Sequence, residues 1–521
     1  MFPESVCLMM HINRKALVPI LLGATALAGW TAGCAASAES ANRLKAVVTS
    51  VTVSPSTASS ITTGTLPFTA SVLGTTSDKS VKWSASLGNI TSSGAYTAPS
   101  TTGTATITAR SNADPTRFAS ATVKIIAAPA APSPTPSPTP SPLPTTGAAL
   151  PRSFFSQNWN QVANSPTVPF GSLRLWDSKV SWREIETSEG NYDWSLLDQW
   201  LAKAGDHDVL YTFGKTPQWA GGGTNYSNPP SDVDSGDARW KAFIAALVEH
   251  AAGRIKYYEV WNEPNGSHFW SGTPVQLAAM GKDAYTIIHT LDPSAQVVGP
   301  SPSGGPFSSI SFLTSYYAAG GATAQDIVSY HAYLHDNSPN PQGILAVVEN
   351  LRALMTAHGI GDKPVWFTEG SWGNNTLNGA GAGILTNEQQ AAYLAQQYIF
   401  LWSKDVDRYY WYSWDNNQGW GTLWDATNGI HPAGIAYGLL YSWLVGSSHT
   451  DSPCAQRTDG TWICTLRLGN GNPAEIVWNP VTSESFSSDA TFTSYQTLDN
   501  SAVNPIVNNT VRIGNKPILL N

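Results

Sequence analysis

The stretch that decides the fold runs from Arg254 to Trp270 and reads RIKYYEVWNEPNGSHFW. Its first half, residues 255–261, is a compact run of β-branched and aromatic residues, which predicts a buried strand. The strand must end at Pro264, because proline has no amide hydrogen to donate to a neighbouring strand. Glu263 and its neighbour Asn262 are therefore expected at the mouth of a strand. Taken alone, the tripeptide Asn262-Glu263-Pro264 would suit a simple turn equally well.

Strand-like and helix-like segments alternate on both sides of this stretch, over residues 150–446. The strand candidates are Phe154-Phe155, Leu173–Trp176, Val209–Phe213, Tyr257–Trp261, Gln296–Gly299, Ile327–Tyr333, Val365–Thr368 and Tyr409–Ser413. The helix candidates are Ser195–Ala204, Ala238–Ala252, Pro274–Leu291, Gly343–His358, Asn387–Lys404 and Pro432–Leu444. Strands that alternate with helices in this number predict an α/β fold, the (β/α)8 TIM barrel, whose active site gathers at the carboxyl ends of the strands.

A second glutamate stands at the matching position of the seventh strand, where Glu369 ends the run VWFTE. Strands four and seven lie on opposite sides of an eight-stranded barrel, so Glu263 and Glu369 are expected to project into one mouth. Glycoside hydrolysis requires such a pair of carboxylates. One protonates the leaving oxygen, and the other attacks the anomeric carbon or activates water.

The barrel segment resembles the retaining glycoside hydrolases of clan A, and EVWNEPN followed by Phe269-Trp270 is similar to glycoside hydrolase family 39. The runs LRLWD (173–177), GNYDWSLLD (190–198) and TPQWA (216–220) are similar to the exopolysaccharide-degrading branch of that family. The resemblance implies that Glu263 is the acid/base and Glu369 the nucleophile of a double displacement.

The same resemblance implies that Asn262 binds the sugar 2-hydroxyl and that Arg174, at the end of strand two, supports the nucleophile. A raised pKa at Glu263 and a lowered pKa at Glu369 are then expected. A retaining mechanism also needs the two carboxyls roughly 5 Å apart, whereas inversion needs about 6.5–9.5 Å.

Further residues are expected to bind the sugar. His331 and Tyr333 point the same way from strand six and would line the pocket, although His331 could also be a core histidine. Asp177 could bind a sugar hydroxyl or cap its own loop. Tryptophans at strand ends are candidate sugar platforms, and spacing does not separate them from core residues. They are Trp176, Trp219, Trp270, Trp372, Trp411 and Trp414.

Composition fits a neutral, flat-faced ligand such as a sugar. Charged residues make up 12% of the 521 residues, while there are 21 Trp, 19 Tyr and 15 Phe. Many of these aromatic residues will be core. A net charge of −8 without a basic patch argues against a nucleic-acid partner. We expect a polysaccharide or oligosaccharide substrate, no cofactor or metal, and a monomer.

The N-terminal region predicts export and two further segments. Residues 1–38 resemble a signal peptide, and Thr31-Ala32-Gly33-Cys34 is similar to a bacterial lipobox that would lipidate Cys34 and anchor the chain to the outer membrane. Cleavage after Ala36-Ser37-Ala38, which would give a secreted or periplasmic protein, is the competing prediction. Short β-type runs over residues 45–127 resemble a group-2 bacterial Ig-like β-sandwich. Residues 128–149 are a proline-rich linker.

The helical pattern stops after residue 446, and residues 447–521 predict a small C-terminal β-domain. Its strand candidates are Thr461–Leu468, Ala474–Trp478, Ser494–Leu498 and Val511–Leu520. Cys454 and Cys464 flank the turn residues Asp459-Gly460, which predicts a disulfide across a hairpin in an exported protein.

The leading interpretation is an exported retaining β-glycosidase that cuts within a polysaccharide. An exo-acting β-xylosidase, and a clan A endoglucanase or mannanase, are the alternatives within the enzyme class. Two alternatives come from other classes. One is a non-catalytic carbohydrate-binding surface protein on a degenerate barrel, and the other is an adhesion protein in which residues 45–127 bind the ligand.

Overall fold

The computed structural model describes residues 47–126, 147–304, 306–334, 340–373, 385–416, 421–449 and 453–521. The predicted signal peptide, the lipidation of Cys34 and most of the predicted linker lie outside these residues. The chain divides into two compact units, 1–133 and 134–521.

The first unit is a β-domain with three small sheets. Phe68, Tyr96, Ile107 and Val123 are buried at its centre. Its Ig-like classification stays a prediction. The strands are β1 (Val48–Ser54), β2 (Thr57–Ile61), β3 (Thr65–Pro67), β4 (Thr69–Gly74), β5 (Val81–Ala85), β6 (Asn89–Ile90), β7 (Ala95–Thr97), β8 (Gly103–Ser111) and β9 (Phe118–Ile126). They pair as β2-β9-β8-β5, β1-β4 and β3-β7-β6.

The second unit contains the predicted barrel. The barrel strands are β10 (Phe155–Asn158), β11 (Ser172–Leu175), β14 (Asp208–Thr212), β15 (Tyr257–Glu259), β16 (Gln296–Val298), β17 (Val328–His331), β18 (Val365–Glu369) and β19 (Arg408–Trp411). They pair in the order β16-β15-β14-β11-β10-β19-β18-β17, and every pairing is parallel. A parallel bridge between Val298 and Ile327 joins β16 to the start of β17 and closes the sheet. The prediction of a (β/α)8 barrel is confirmed.

Helices surround the barrel and cover the apolar outer faces of its strands. They are α1 (Trp182–Ile185), α2 (Ser195–Ala204), α3 (Ala238–Ala251), α4 (Pro274–Leu291), α5 (Pro306–Ala318), α6 (Ile344–Ala357), α7 (Asn387–Trp402) and α8 (Pro432–Leu444). Two short hairpins, β12 (Glu186–Ser188) with β13 (Asn191–Tyr192) and β20 (Trp424–Asp425) with β21 (Gly429–Ile430), complete this part, with 3-10 turns at Arg152–Phe154, Gly321–Thr323 and Pro341–Gly343. No helix among the described residues has the length and apolar character needed to cross a membrane.

The sequence did not predict α5. Its segment is rich in Ser and Thr, whose hydroxyls compete for backbone hydrogen bonds and weaken helix propensity. In the structure these hydroxyls bond back along the helix, Thr314 to the Ile310 carbonyl and Ser315 to the Ser311 carbonyl, at 2.7 and 3.1 Å.

The C-terminal β-domain packs against α7 and α8. Phe400 of α7 contacts Trp462 and Trp478 edge-on, with ring centroids 4.8 and 5.5 Å apart. The strands are β22 (Cys454–Gln456), β23 (Trp462–Arg467), β24 (Pro473–Trp478), β25 (Glu484–Ser487), β26 (Ser494–Gln496), β27 (Val503–Pro505), β28 (Thr510–Ile513) and β29 (Ile518–Leu520). The single strand predicted over residues 511–520 is wrong. Gly514 and Pro517 divide it, and the two parts join different sheets.

The predicted disulfide is confirmed. Cys454 and Cys464 face each other across the antiparallel pair β22 and β23, with their Cα atoms 4.0 Å apart.

A buried carboxylate stands at the start of α3. Asp237 has a left-handed backbone, is 3% exposed, and neither carboxylate oxygen has a hydrogen-bond partner among the described residues. Burial, together with the negative charges of Asp283 and Asp232, raises the pKa of Asp237 to about 7. The ionised form is therefore costly to the folded protein.

Candidate active site

Glu263 lies just beyond the carboxyl end of the fourth barrel strand. Its neighbour Asn262 forms a parallel bridge with Ser301, and the Glu263 amide donates to the Ser301 carbonyl at 3.0 Å. The backbone then turns sharply, with a φ of 43° at Glu263. A non-glycine residue in this region costs free energy and is held by its surroundings. Asn265 stabilises this turn by two hydrogen bonds with the Ser303 backbone. Its Nδ2 donates to the Ser303 carbonyl at 2.7 Å, and its Oδ1 accepts from the Ser303 amide at 2.9 Å.

Glu369 ends the seventh strand and faces the same cavity. Arg174 Nη1 donates to its Oε1 at 2.5 Å, and the Tyr333 hydroxyl donates to its Oε2 at 2.8 Å. Burial and the negative charges of Glu369 and Glu263 raise the pKa of Tyr333 well above its usual value. The hydroxyl therefore stays protonated and remains a donor.

The two glutamates approach each other closely, with His331 between them. One oxygen of each carboxylate and a ring nitrogen of His331 all lie within 4.8 Å of one another. His331 Nδ1 lies 2.8 Å from Glu263 Oε1 and 3.6 Å from Glu369 Oε2. A carboxyl pair at this range matches the separation of about 5–5.5 Å in retaining glycosidases, and it is shorter than the 6.5–9.5 Å of inverting ones.

Arg174 lies beneath the pair and is fully buried. Its Nη2 donates to Asn262 Oδ1 at 2.8 Å, and its Nη1 also reaches Asn158 Oδ1 at 3.3 Å. Its Nε and Nη2 both donate to Glu259, at 2.8 and 2.6 Å. Burial alone would lower the pKa of Arg174, but the charges of Glu259 and Glu369 raise it above its usual value. A permanent buried cation therefore touches both the nucleophile candidate and the amide beside Glu263.

The pKa directions differ from those expected from the sequence. Burial raises the pKa of Glu263, but the hydrogen bond and charge of His331 outweigh it, so the pKa lies below its usual value. Burial raises the pKa of Glu369, and the charges of His331 and Arg174 do not offset it fully. The expectation failed because it considered Arg174 alone, whereas His331 bonds to Glu263 and the Glu369 side chain is the more buried, at 6% exposed against 17%.

A cavity of about 500 Å³ opens above the pair. Among the described residues it is lined by Trp176, Asp177, Lys215, Asn262, Glu263, Phe269, Ser303, Gly304, Tyr330, His331, Ala332, Tyr333, Leu334, Val347, Glu369 and Tyr412. Seven of the candidate site residues predicted from the sequence therefore line one cavity. They are Trp176, Asp177, Asn262, Glu263, His331, Tyr333 and Glu369. Trp176 and Phe269 stand next to each other there, with ring centroids 6.0 Å apart, and offer an apolar face.

The other tryptophans proposed as sugar platforms do not line this cavity. Trp411 and Trp414 are fully buried, Trp411 donating to the Gly421 carbonyl at 2.6 Å and Trp414 stacking on Trp424. Trp372 packs edge-on against Tyr393, and Trp270 against Trp261. Trp219 is half-buried against Trp182 and donates to the Glu186 carbonyl at 2.8 Å. These rings fill space between strands and helices, a role that the spacing of tryptophans in the sequence does not distinguish from sugar binding.

The sequence reasoning missed three further groups. Tyr412 donates to Asp177 Oδ2 at 2.5 Å, and Lys215 Nζ lies 3.8 Å from Asp177 Oδ1 and 4.5 Å from the centroid of the Trp176 ring. Lys215 follows the third strand with a left-handed φ of 58°. Glu259 precedes Glu263 by four residues and lies inside the buried strand that the sequence predicts. A carboxylate inside an otherwise apolar strand is the signal that could have revealed it.

Glu263, His331 and Glu369 are also close enough to share a metal ion. Arg174 already supplies the positive charge at Glu369, at 2.5 Å. The donor set therefore fits a proton-transfer and nucleophile pair better than a cation site.

Parts of the chain are similar to known proteins. Residues 190–437 match the family described as glycosyl hydrolase catalytic core. A β-xylosidase from Geobacillus stearothermophilus is 27% identical over 218 residues, which cover 37% of this chain. The chain spans 39% of the length of that curated relative.

Two solved structures show the same fold. A family 39 glycoside hydrolase from Bacteroides cellulosilyticus WH2 superimposes with a TM-score of 0.54 at 16% identity, covering 89% of this chain and 98% of that one. A family 39 β-xylosidase from Caulobacter crescentus gives 0.52 at 15% identity, covering 72% and 97%. Most of the barrel is therefore similar to glycosyl hydrolase catalytic cores, and its fold is that of the family 39 structures.

Proposed function

We propose that the chain is an exported retaining β-glycosidase that hydrolyses O-glycosidic bonds of a polysaccharide or its oligosaccharides. The observation that carries the proposal is the approach of Glu263 and Glu369 within 4.8 Å at the ends of strands four and seven. An exported location rests on the predicted leader and on the Cys454–Cys464 disulfide, a bond that persists in oxidising compartments.

In the first step Glu369 attacks the anomeric carbon, and the proton of Glu263 passes to the departing glycosidic oxygen. A glycosyl-enzyme forms on Glu369. In the second step Glu263 takes a proton from water, the water oxygen bonds to the anomeric carbon, and Glu369 leaves as a carboxylate. Tyr333 and Arg174 hold Glu369 in line throughout, and Asn262 faces the sugar 2-hydroxyl.

The reacting form needs its proton on Glu263, whereas the burial of Glu369 and the contact of His331 with Glu263 favour a proton on Glu369. His331 is the group that can reverse this preference, because its Nδ1 lies 2.8 Å from Glu263 and 3.6 Å from Glu369. A turn of the imidazole toward Glu369 would release Glu263 to take the proton and stabilise Glu369 as the carboxylate.

The first test is product profiling on β-linked polysaccharides and aryl β-glycosides, with the anomeric form of the first product followed by NMR. Glu369→Gln and Glu263→Gln are expected to abolish turnover. The exposed Glu249→Gln on α3 is the matched control and should behave as the wild type. A first product of inverted configuration would refute the retaining mechanism. Tight sugar binding without any turnover would refute the enzyme.

The same panel separates two modes of action. Release of oligosaccharides indicates the endo action that the sequence favours. Cleavage of aryl β-xylosides alone indicates an exo-acting β-xylosidase, which the names of the Geobacillus and Caulobacter relatives favour.

A further inference from the structure

Glu259 is a buried carboxylate in the same network, and nothing in the proposed reaction uses it. Its side chain is fully buried at the end of β15. One oxygen, Oε2, accepts hydrogen bonds from Arg174 Nε at 2.8 Å, Arg174 Nη2 at 2.6 Å and the Thr212 hydroxyl at 2.8 Å. The other, Oε1, is buried and has no hydrogen-bond partner among the described residues. Among the described residues, Arg174 and Thr212 therefore provide all the hydrogen bonds that stabilise the charge of Glu259.

The contacts fix the guanidinium plane. Because Nε and Nη2 both point at Glu259, the remaining Nη1 must point at Glu369, and the second hydrogen of Nη2 at Asn262. A guanidinium is a rigid planar fork, so holding one edge aims the other. Glu259 thus sets the direction from which the nucleophile candidate receives its shortest hydrogen bond, at 2.5 Å.

The contacts also divide one positive charge between two carboxylates. Arg174 forms ion pairs with Glu259 at 2.6 Å and with Glu369 at 2.5 Å. The negative charge of Glu259 partly cancels the attraction that Arg174 exerts on Glu369, and in a buried site this cancellation is weakly screened. Glu369 is consequently a stronger nucleophile, and a poorer leaving group, than an undivided arginine would make it.

We infer that Glu259 is a positioning residue that fixes Arg174 and shares its positive charge, and so sets how readily Glu369 attacks and leaves. The inference rests on the proposed double displacement for its kinetic part and on the buried ion pairs for its electrostatic part.

The test compares Glu259→Gln with Thr212→Val, which should act in opposite directions. Glu259→Gln removes the competing charge, so Arg174 holds Glu369 more strongly. The titration of Glu369 is read as the infrared difference between the protein with and without Glu369→Gln, and it requires no substrate. In Glu259→Gln the midpoint should move down by about one pH unit. Turnover of a trapped 2-fluoro glycosyl-enzyme should speed up, because Glu369 leaves more easily. Thr212→Val leaves Glu259 more strongly dependent on Arg174, so both readouts should shift the other way.

Unchanged Glu369 titration in both variants, with only a loss of thermal stability, would show a purely structural ion pair and overturn the inference. If Glu259→Gln fails to fold, Thr212→Val decides alone. A midpoint of the Glu369 titration that does not rise in Thr212→Val then overturns the inference. Failure of the proposed function looks different: the wild type then forms no glycosyl-enzyme, while the infrared titrations still decide the electrostatic part.

Discussion

Replacing His331 by phenylalanine removes the ring nitrogen that lies 2.8 Å from Glu263 and 3.6 Å from Glu369 while keeping a flat ring in a fully buried position. A hydrogen bond to a charged group is worth about 1.5–3 kcal/mol, which corresponds to about 1–2 pKa units. His331 lowers the pKa of both carboxyls, so its loss raises both. The pKa of Glu263 should rise the more, because Glu263 has the shorter contact.

The assay is the pH dependence of kcat/KM on an aryl β-glycoside, which reports the ionisations of the free enzyme. Both limbs of the bell should move to higher pH, the lower limb by about 1–2 units. The limbs belong to the coupled pair, and the higher one reflects mainly Glu369. Tyr333→Phe is the matched control, because it removes a donor from Glu369 only and should raise the higher limb alone. Limbs that stay in place after His331→Phe, or move down, would refute the assigned role of His331.

Three further predictions concern stability. Asp237→Asn should stabilise the fold at pH 8 and give no gain at pH 4. Because the pKa of Asp237 is raised in the folded state, its ionisation lowers the free energy of unfolding from near pH 4 upward, and the full loss is reached above pH 7. That loss is at most about 4 kcal/mol, and roughly 2 kcal/mol after solvent screening. Denaturant unfolding at the two pH values checks this, and destabilisation at pH 8 would mean that the ionised carboxylate has a stabilising partner. Arg174→Met should cost about 3–5 kcal/mol by leaving buried carboxylates uncompensated, and the double variant with Glu259→Gln should recover part of it in urea melts, whereas additive losses would contradict the pairing. Replacing Cys454 and Cys464 by serine should lower the stability of the C-terminal domain by about 2–3 kcal/mol, since the bond closes a loop across a separation of 10, and should leave the pH profile of activity unchanged; a shifted profile would contradict this.

The barrel could be predicted from the sequence because strands and helices alternate with clear periods and because proline ends the fourth strand. Glu263 and Glu369 could be placed in one mouth for the same reason, since topology alone brings the ends of strands together. His331 and Tyr333 followed from the two-residue period of a strand.

Other features depend on distances that a sequence does not contain. Whether a tryptophan such as Trp411 or Trp176 faces a cavity depends on how the neighbouring helix packs. The pKa directions depend on which carboxylate His331 reaches first. The role of Glu259 could not be predicted, because it depends on the contact with Arg174, which lies on another strand.

The division of Arg174 between two carboxylates has a consequence for synthesis of the chain. Arg174, Thr212 and Glu259 all belong to the first half of the barrel, whereas Glu369 emerges from the ribosome more than a hundred residues after Glu259. The first half of the barrel therefore carries both the buried arginine and a carboxylate that pairs with it. The reactive centre is complete only when the strand that carries Glu369 is added.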